Sequence, residues 1–358
     1  MSTIDNLHKE WRSLQPLKPE IQRRMDRQFM FDFNYNSNRL EGNTLTYGQT
    51  KLLLMFGKTE GEALFRDYEE MKAHNVGLEM MKRAACDKER PLSESFVREL
   101  NSTILAGDFY KTSNDGEYRY KIHTGVYKTR PNSVITPSGE LFEYTSPEET
   151  PSMMADLISW YRDVEQKGEL SVVTLAASFH FRYIRIHPFE DGNGRIARLL
   201  VNYILFRHAY PMIVIPSADR KNYLNVLGQC DKNTGIEPYK GANATMEQTK
   251  PLIDYIAAFV EKKMTLAIQL AKGEITTIEE TKEENVGVNV GVNTGANVGV
   301  KEYIIEHIKA KPNISAKELS TLLQKTPRTI ERHLKDLREQ GILTRDGSDK
   351  TGYWKINY

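Results

Sequence analysis

The sequence predicts a mainly α-helical fold with a small β-hairpin, followed by a separate small domain of three helices and a second hairpin. Apolar residues recur at helical spacing through most of residues 1–272. The composition then changes abruptly, because an acidic stretch leads into a run of valine, glycine and asparagine. The 358 residues, 39% hydrophobic and 27% charged, suffice for one large domain and one small one.

The large part is predicted to consist of helices joined by short loops. The apolar spacing places helices at 16–35, 48–56, 62–83, 94–105, 151–166, 170–186, 195–208, 219–230 and 250–271. Two extended stretches lie between the fourth and fifth of these, at 118–127 and 133–142, and the second contains a Pro-Ser-Gly turn at 137–139. We therefore expect the two stretches to pair as a small hairpin.

The region after the last of these helices is predicted to connect two domains. Residues 274–284 are acidic, and residues 285–300 read NVGVNVGVNTGANVGV. Glycine at this density favours a flexible linker, although the alternating valines also allow a β-arm that pairs with another segment. The predicted organisation is a helical N-terminal region at 1–60, a core at 61–272, a linker at 273–300 and a small domain at 301–358.

The small domain is predicted from its helix signals. A first helix spans 301–310, and Ser315 with Glu318 forms a capping box for a second. Pro327 follows Thr326 at the start of a third helix, which Gly341 ends. The stretches 342–345 and 352–358 flank a turn at 346–348 and read as a hairpin. Three helices followed by a hairpin resemble the winged helix-turn-helix family.

Composition excludes several classes of protein. The net charge of +1 does not by itself indicate a nucleic-acid or membrane partner. The two cysteines, Cys86 and Cys230, lie far apart, which argues against a disulfide framework or a zinc site. The charged N-terminus does not read as a signal peptide, and apolar runs stay short of the roughly 20 residues of a membrane span. We therefore expect a cytoplasmic protein.

One loop, His187-Pro-Phe-Glu-Asp-Gly-Asn-Gly-Arg195, carries residues suited to phosphate chemistry. A Gly-Asn-Gly turn leading into a helix presents backbone N–H groups that bind anions. His187 can act as a general base, Asp191 offers an oxygen ligand for Mg²⁺, and Phe189 can anchor the loop in the core. Arg195 and Arg198 lie on one side of the first helical turn and offer planar forks for phosphate oxygens.

The residues HPFEDGNGRIAR match the Fic signature H-x-F-x-[DE]-G-N-G-R-x-x-R at every fixed position. This resemblance, over roughly residues 20–270, implies a Fic-type helical bundle and a protein adenylyltransferase that moves AMP from ATP to a protein hydroxyl. It implies that His187 is the base, that Asp191 holds Mg²⁺, and that Arg195 and Arg198 bind phosphate. Three further residues would form the anion hole: Gly192, Asn193 and Gly194. The related Doc-type kinases have a bulkier residue at Gly194, so glycine favours AMP transfer.

Two further segments are similar to parts of the Fic fold. The stretch from Gly116 to Gly125 resembles the flap that pairs with a target peptide as an added strand, and its target-binding residues would be Ile122, His123, Thr124 and Gly125. Arg220-Lys-Asn-Tyr223 lies where the family has part of its adenine pocket. Tyr223 would either stack on the base or pack in the core, and Asp231 would contact the base.

Residues 37–42, Ser-Asn-Arg-Leu-Glu-Gly, resemble the inhibitory motif [ST]-x-x-x-E-[GN] of the family. Ser37 and Glu41 are four residues apart and share a helical face, and Gly42 can end that helix. The resemblance implies that Glu41 pairs with Arg198, keeps the γ-phosphate out of its productive place and leaves the isolated protein largely inactive. In some relatives the same glutamate also helps to remove AMP, an activity left open here.

Two other histidines attract attention. His180 lies seven residues before His187 on the same predicted helix, which would suit a metal pair, but no cysteine accompanies them. We expect His180 in the core or behind the site. His123, in the predicted flap, should face solvent or touch peptide.

The partners predicted from the sequence are an unidentified target protein, a second copy of the chain, and the chain itself as an acceptor of AMP. DNA is the alternative partner, through the small domain, which holds twelve Lys and Arg against eight Asp and Glu. Its third helix carries Arg328, Arg332, Lys335 and Arg338, but also Glu331, Asp336 and Glu339. Both functions, DNA binding and protein docking, therefore stay open for this domain.

Overall fold

The computed structural model describes residues 3–59, 61, 63–112, 117–135, 141–275, 304, 308, 311–322, 326–339, 343–347 and 352–356. The chain divides into two compact units, Met1–Lys282 and Glu283–Tyr358. The helices described in the first unit are α1 (Thr3–Ser13), α2 (Pro19–Leu40), α3 (Tyr47–Phe56), α4 (Phe65–Cys86), α5 (Glu94–Ile104), α6 (Thr150–Lys167), α7 (Val172–Ile186), α8 (Asn193–Arg207), α9 (Arg220–Thr234), α10 (Pro238–Ala242) and α11 (Met246–Lys272). Its strands are β1 (Phe109–Thr112), β2 (Arg119–Ile122), β3 (Val134–Ile135) and β4 (Leu141–Phe142). The mainly α-helical prediction is confirmed.

Helices α7 and α8 form the centre of the first unit. Eleven of the fifteen residues of α7 and twelve of the fifteen of α8 are buried. A helix that is buried on nearly every side lies inside the bundle rather than on its surface. Helices α4, α6, α10 and α11 pack around this pair. The loop that joins α7 to α8 therefore begins and ends in the most densely packed part of the protein.

Helix α2 runs five residues beyond its predicted end at residue 35. The added turn is rich in asparagine, a residue that favours turns because its side chain competes with backbone hydrogen bonds. Here the side chains of Asn34, Asn36 and Asn38 each donate to the carbonyl four residues earlier, at 2.8 Å. These bonds keep the amides satisfied inside the helix, and they bring Ser37 and Glu41 to its last turn.

The predicted pairing of 118–127 with 133–142 is wrong. Strand β2 pairs antiparallel with β1, and strand β3 pairs with β4. Phe109 lies opposite Ile122 in the first pair, and their buried or half-buried side chains pack it against the bundle. The alternation in β2 was visible in the sequence, but its partner β1 is only four residues long and shows little pattern. The predicted turn at 137–139 lies outside the described residues.

Helices α1 and α10 did not appear in the apolar spacing. Only Trp11 of α1 is buried, which is too weak a repeat to detect. Its indole donates to the carbonyl of Ala209 at 3.1 Å, and its ring packs against Ala267 and Ile268 of α11. In the described part of the chain, no helix is both long and apolar enough to cross a bilayer.

The second unit contains α12 (Ala316–Leu322), α13 (Pro327–Glu339), β5 (Leu343–Asp346) and β6 (Tyr353–Ile356). Ser315 and Glu318 form the predicted capping box, and Pro327 begins α13. Strands β5 and β6 pair antiparallel, with Leu343 opposite Ile356. A separate apolar core holds them: Ile304, Ile308, Ile314, Leu319, Ile330, Leu334, Leu337, Leu343 and Trp354. Most of the predicted helix at 301–310, Gly341 and most of the 273–300 linker lie outside the described residues.

Candidate active site

The loop between α7 and α8 is held by its own side chains. Helix α7 ends at His187, which adopts a left-handed conformation with φ of +52°. Phe189 is fully buried, and the side chain of Asn193 bonds the Phe189 backbone twice, at 3.0 Å to N and 2.7 Å to O. The predicted anchoring by Phe189 is confirmed. The side chain of Asn193 closes the loop, so only its backbone is left for an anion.

His187 is the first residue of this loop, and its imidazole is neutral at pH 7. The edge of the Tyr144 ring packs against its imidazole, with centroids 4.0 Å apart. Burial lowers the pKa of His187 to about 3, and the nearby positive charge of Lys128 adds to that effect. Among the described residues, none bonds its buried Nδ1. A neutral imidazole at pH 7 can accept a proton from a hydroxyl placed beside it.

The start of α8 forms an anion site. Gly192 caps the helix in a left-handed conformation, at φ +83°, which suits glycine. No side chain of the described chain caps this end, so the N–H groups of Asn193, Gly194 and Arg195 lack helical acceptors. Free N–H groups and the positive end of a helix together favour a phosphate.

Asp191 lies beside this helix end and contacts two cations. Its Oδ2 is 3.3 Å from Nζ of Lys111, and its Oδ1 is 3.5 Å from Nη2 of Arg195. Its Oδ1 also accepts from Gly192 N at 2.7 Å, and its carbonyl accepts from the Asn101 side chain at 2.9 Å. The carboxylate is thus fixed at the edge of the anion site, and among the described residues its second oxygen contacts a half-exposed lysine.

Arg198 is bound by the end of α2. Its side chain is 4% exposed, its Nε donates to Ser37 Oγ at 3.1 Å, and its Nη2 donates to Ser37 O at 2.8 Å. The same Nη2 lies 2.7 Å from Glu41 Oε1. A side chain at Gly194 would overlap the Glu41 carboxylate. Glu41 therefore lies directly over the first turn of α8, in the space beside the anion site.

No cluster of three or more His, Cys, Asp or Glu that could hold a metal occurs in the described ranges. Asp191 is instead a lone carboxylate next to an anion site. Mg²⁺ often binds one or two carboxylates and takes the rest of its ligands from substrate phosphates and water. The donor set therefore fits Mg²⁺ that arrives with a nucleotide.

Both units of this chain are similar to known proteins. Residues 91–205 match the model of the Fic/DOC family, and residues 303–344 match that of the winged helix-turn-helix DNA-binding domain. The solved structure of a Fic domain containing signaling protein from Bacteroides thetaiotaomicron is 58% identical, covers 78% of this chain and all of that chain, and has a TM-score of 0.73. This chain belongs to the Fic family.

Other Fic proteins are more distant. Protein adenylyltransferase fic-1 from Caenorhabditis elegans is 30% identical over 232 residues, which cover 62% of this chain and 42% of that protein. Its solved structure, Fic-1 residues 134–508, is 25% identical, covers 76% of this chain and 73% of that one, and has a TM-score of 0.59. The relative from Caenorhabditis briggsae is 27% identical over 227 residues. This chain spans about two fifths of the length of these adenylyltransferases.

The Fic signature residues do come together in one site. His187 faces the opening, Asp191 flanks the start of α8, and Gly192 to Arg195 form its first turn. Ser37, in the last turn of α2, and Glu41, the residue after that helix, both accept hydrogen bonds from Arg198. His180 does not belong to this group, because it is fully buried and its Nε2 bonds the hydroxyl of Tyr223 at 2.7 Å. The core position expected for His180 is confirmed.

The base-stacking role of Tyr223 needs correction. Its side chain is 4% exposed and faces the core with Val226 and Cys230, the next residues on that face of α9. Leu224, 46% exposed, and half-buried Leu227 lie on the other face with Asp231. Asp231 is partly exposed and pairs with Arg185 at 3.1 Å. Tyr223 therefore takes the core position, one of the two expected for it, and Leu224 is exposed on the opposite face of α9.

The predicted flap residues also need correction. Ile122 is 1% exposed, so its side chain cannot contact a target. Thr124 N and His123 Nδ1 both bond Asp108, at 2.9 Å, and Gly125 N donates to Asn101 at 2.9 Å. These contacts tie the segment to the bundle, although the His123 side chain is solvent-facing as expected. Of the described strands, β4 leads to Tyr144, the residue that packs on His187.

Sequence reasoning missed four residues of the site: Glu70, Asn101, Lys111 and Tyr144. Asn101 joins the Asp191 carbonyl to Gly125, and Glu70 lies 3.6 Å from Arg195. Each lies far in sequence from the signature residues that it contacts. A single polar residue on a helix gives no local signal of that kind.

Proposed function

We propose that this protein is a protein adenylyltransferase, which transfers AMP from ATP to a hydroxyl group of a protein side chain. The observation that carries the proposal is a neutral, half-buried His187 held next to the open N-terminus of α8. A base beside an anion site is the arrangement that phosphoryl and nucleotidyl transfer require. The names of its relatives from two Caenorhabditis species support the same reaction.

The site assigns a role to each group in the reaction. His187 takes the proton of the acceptor hydroxyl, and the oxygen attacks the α-phosphorus of ATP. The bond from that phosphorus to the bridging oxygen breaks, and pyrophosphate leaves. Negative charge grows on the phosphate oxygens, where the first-turn N–H groups and Arg195 stabilise it.

Asp191 would hold Mg²⁺, which when bound neutralises phosphate charge and orients the leaving group. The Oδ2 oxygen of Asp191, opposite Lys111, is the one directed away from the loop backbone. Binding there requires Lys111 to release the carboxylate. We place the adenine ring against Leu224 and Leu227 on α9, with Asp231 at the edge of that surface.

We further propose that Glu41 keeps the protein inactive. Arg198 would bind the γ-phosphate, but in this structure its Nη2 binds Glu41 and its Nε binds Ser37. The carboxylate also occupies the space over Gly194. A bound triphosphate would meet negative charge there, so its α-phosphate would be held away from the line of attack.

The Glu41→Gly protein tests both proposals. We expect it to attach AMP to itself or to added protein severalfold faster than the parent protein, measured with labelled ATP. Parallel reactions with labelled GTP, CTP and UTP report which base the α9 surface accepts. The Glu41→Gln protein is the matched control, because it keeps the length and one hydrogen-bond acceptor while removing the charge. It should lie between the other two.

Two outcomes would contradict these assignments. Equal rates for Glu41→Gly and the parent would remove the inhibitory role of Glu41. Transfer that persists when His187→Ala is combined with Glu41→Gly would remove His187 as the base. Labelled protein from the Glu41→Gly reaction, when mixed with the parent protein, also shows whether Glu41 supports removal of AMP.

The second unit favours a second function, DNA binding. Arg328, Arg332, Lys335 and Arg338 are all exposed, and their spacing of four, three and three places them along one face of α13. The opposite face packs in the core through Ile330, Leu334 and Leu337. A helix with one basic face and one buried face can lie along a DNA groove.

Binding of the whole chain to labelled duplex DNA at rising salt tests this function. We expect affinity to fall with salt, and the Arg328→Ala, Arg332→Ala double variant to bind more weakly with a shallower salt dependence. Lys311→Ala, outside α13, is the control and should match the parent. Binding that is undetectable at low salt would instead assign the unit to protein docking.

A further inference from the structure

The segment from Lys128 to Asn132 lies alongside the loop and makes hydrogen bonds to each residue from Ile186 to Glu190. Nζ of Lys128 donates to Ile186 O at 3.2 Å, and its backbone N donates to Pro188 O at 2.8 Å. Nδ2 of Asn132 donates to His187 O at 3.1 Å and to Phe189 O at 2.9 Å. Two residues thus bind four consecutive carbonyl groups around the catalytic histidine.

The next residue of the loop is held by the same segment. Glu190 accepts from Thr129 at 3.0 Å through the hydroxyl, and it pairs with Arg130 at 2.7 Å. Lys128 and Asn132 also bond each other, from Nζ to Oδ1 at 2.9 Å, so the two donors are fixed relative to one another. We call Lys128 and Asn132 the loop clamp.

His187 needs an external restraint because its backbone is strained. A non-glycine residue with φ of +52° is in the left-handed region, which costs about 1–2 kcal/mol. Such a conformation persists only where the surroundings impose it. The carbonyls on both sides of His187 and its own carbonyl all accept from the clamp, so the clamp determines the direction of the imidazole.

Burying the amino group of Lys128 at this position costs free energy. Its side chain is 3% exposed, and burial lowers its pKa to about 7. Its described partners are a helix-end carbonyl and an amide oxygen, and none of the described carboxylates pairs with it. The carbonyl of Ile186 lies at the negative end of α7, which favours a cation. A merely structural contact could be made by a neutral donor at lower cost.

Resting on the proposed transfer reaction, we propose that Lys128 and Asn132 are positioning residues that hold His187 in the orientation in which it takes the proton of the acceptor hydroxyl. Neither residue touches the reacting atoms. Their effect passes through the backbone of the loop. A displacement of about 1 Å at a catalytic group can cost about 100-fold in rate.

The test uses the full-length Glu41→Gly protein as the parent, with Lys128→Met and Asn132→Ala added separately. We expect kcat for AMP transfer to fall about tenfold or more in each, while KM for ATP stays within about threefold. Calorimetric ATP binding reports the fraction of protein with an intact nucleotide site, and its stoichiometry should stay near that of the parent. Lys263→Met, which removes another buried lysine away from the loop, is the matched control and should keep the parent kcat.

A second measurement separates positioning from folding. The positive charge of Lys128 lowers the pKa of His187, while Asp191 raises it. In Lys128→Met the pKa of His187 should rise, so the acid limb of the rate profile should move to higher pH. Asn132→Ala carries no charge change and should lower kcat without moving that limb.

The proposal fails for either residue whose variant keeps kcat within twofold of the parent. It also fails if ATP-binding stoichiometry falls in proportion to kcat, because the loss would then be one of folded protein. Failure of the Glu41→Gly parent to transfer AMP, by contrast, would overturn the proposed reaction itself and is seen before any clamp variant is made.

Discussion

Gly192 is the residue on which the shape of the anion site depends most directly. It must adopt φ of +83° to turn the chain into α8, and a side chain there would lie 3.2 Å from Nδ2 of Asn101 and 3.4 Å from Ile104. Both the backbone strain and the contact oppose any larger residue. The N–H groups of the first helical turn of α8 come directly after Gly192. A change in the backbone at Gly192 would therefore move them.

We expect Gly192→Ala to lower the free energy of unfolding by about 1–3 kcal/mol and to reduce ATP binding by the Glu41→Gly protein. Gly168→Ala is the matched control, because Gly168 ends α6 at φ +65° with nothing within 4 Å. It shares the strain without the contacts. Chemical denaturation and calorimetry would measure both effects, and equal ATP binding in Gly192→Ala and Gly168→Ala would show that the turn does not shape the site.

Single residues show where sequence reasoning succeeds and where it fails. The signature loop could be predicted because its residues are consecutive and their roles follow from local geometry. Tyr223 could not be placed, since a tyrosine next to a leucine on a helix gives no sign of which one faces the core. The side chain of Tyr223 packs beside His180, which lies 43 residues earlier in the chain on α7, and that contact decides the face.

His180 in α7 and His187, the residue that ends this helix, are both neutral in the folded protein at pH 7. Burial lowers the pKa of both His180 and His187 to about 3, against 6.5 for an unfolded histidine. Between these values the unfolded chain binds more protons than the folded one. Stability therefore falls as the pH drops below about 6.5, and the loss continues towards pH 3.

The His180→Gln protein removes the contribution of His180 to this pH dependence of stability. Glutamine can still accept from the Tyr223 hydroxyl but does not titrate. We expect the free energy of unfolding, measured with urea between pH 7 and pH 5, to fall with pH less steeply than in the parent, by up to about 1.4 kcal/mol per pH unit. Parallel slopes in the two proteins would mean that His180 is protonated as readily when folded as when unfolded.

At the level of helices and strands, the apolar repeats predict the middle of each long helix, but they do not show where its polar end lies. The apolar spacing of α2 ends at residue 35, and its last turn was predicted only from the Ser37–Glu41 motif. The asparagine side chains in that turn bond backward along the helix, which extends to Leu40. That extension is what brings Glu41 to Arg198. The Ser37–Glu41 motif and its helix were found from a family pattern, while the Ser37 bond to Arg198 is seen only in the structure.

The two units have separate apolar cores, and each core should respond to its own substitutions. Leu334→Ala, in the core of the second unit, should destabilise that unit by about 2–5 kcal/mol and weaken DNA binding. Transfer of AMP by the Glu41→Gly protein should not change. Lys311→Ala, an exposed substitution outside α13, is the control and should leave both properties as they are.

Reduced AMP transfer in the Leu334→Ala protein would show that the second unit supports catalysis as well as docking. The boundaries at 60, 272 and 300 remain predictions at this scale. The abrupt change in composition was enough to separate the two units in sequence.

In the proposed mechanism, the contact between Glu41 and Arg198 sets how strongly the protein is inhibited. Ser37 holds Arg198 from within α2, but the Glu41 side chain is 39% exposed and is tied to Arg198 through one charge-assisted hydrogen bond. Such a bond contributes about 1.5–3 kcal/mol before water weakens it, which corresponds to a closed-to-open ratio of at most roughly 150. An exposed side chain rotates within nanoseconds. Under the proposed inhibition by Glu41, the unstimulated protein would therefore keep a background activity that scales with its copy number.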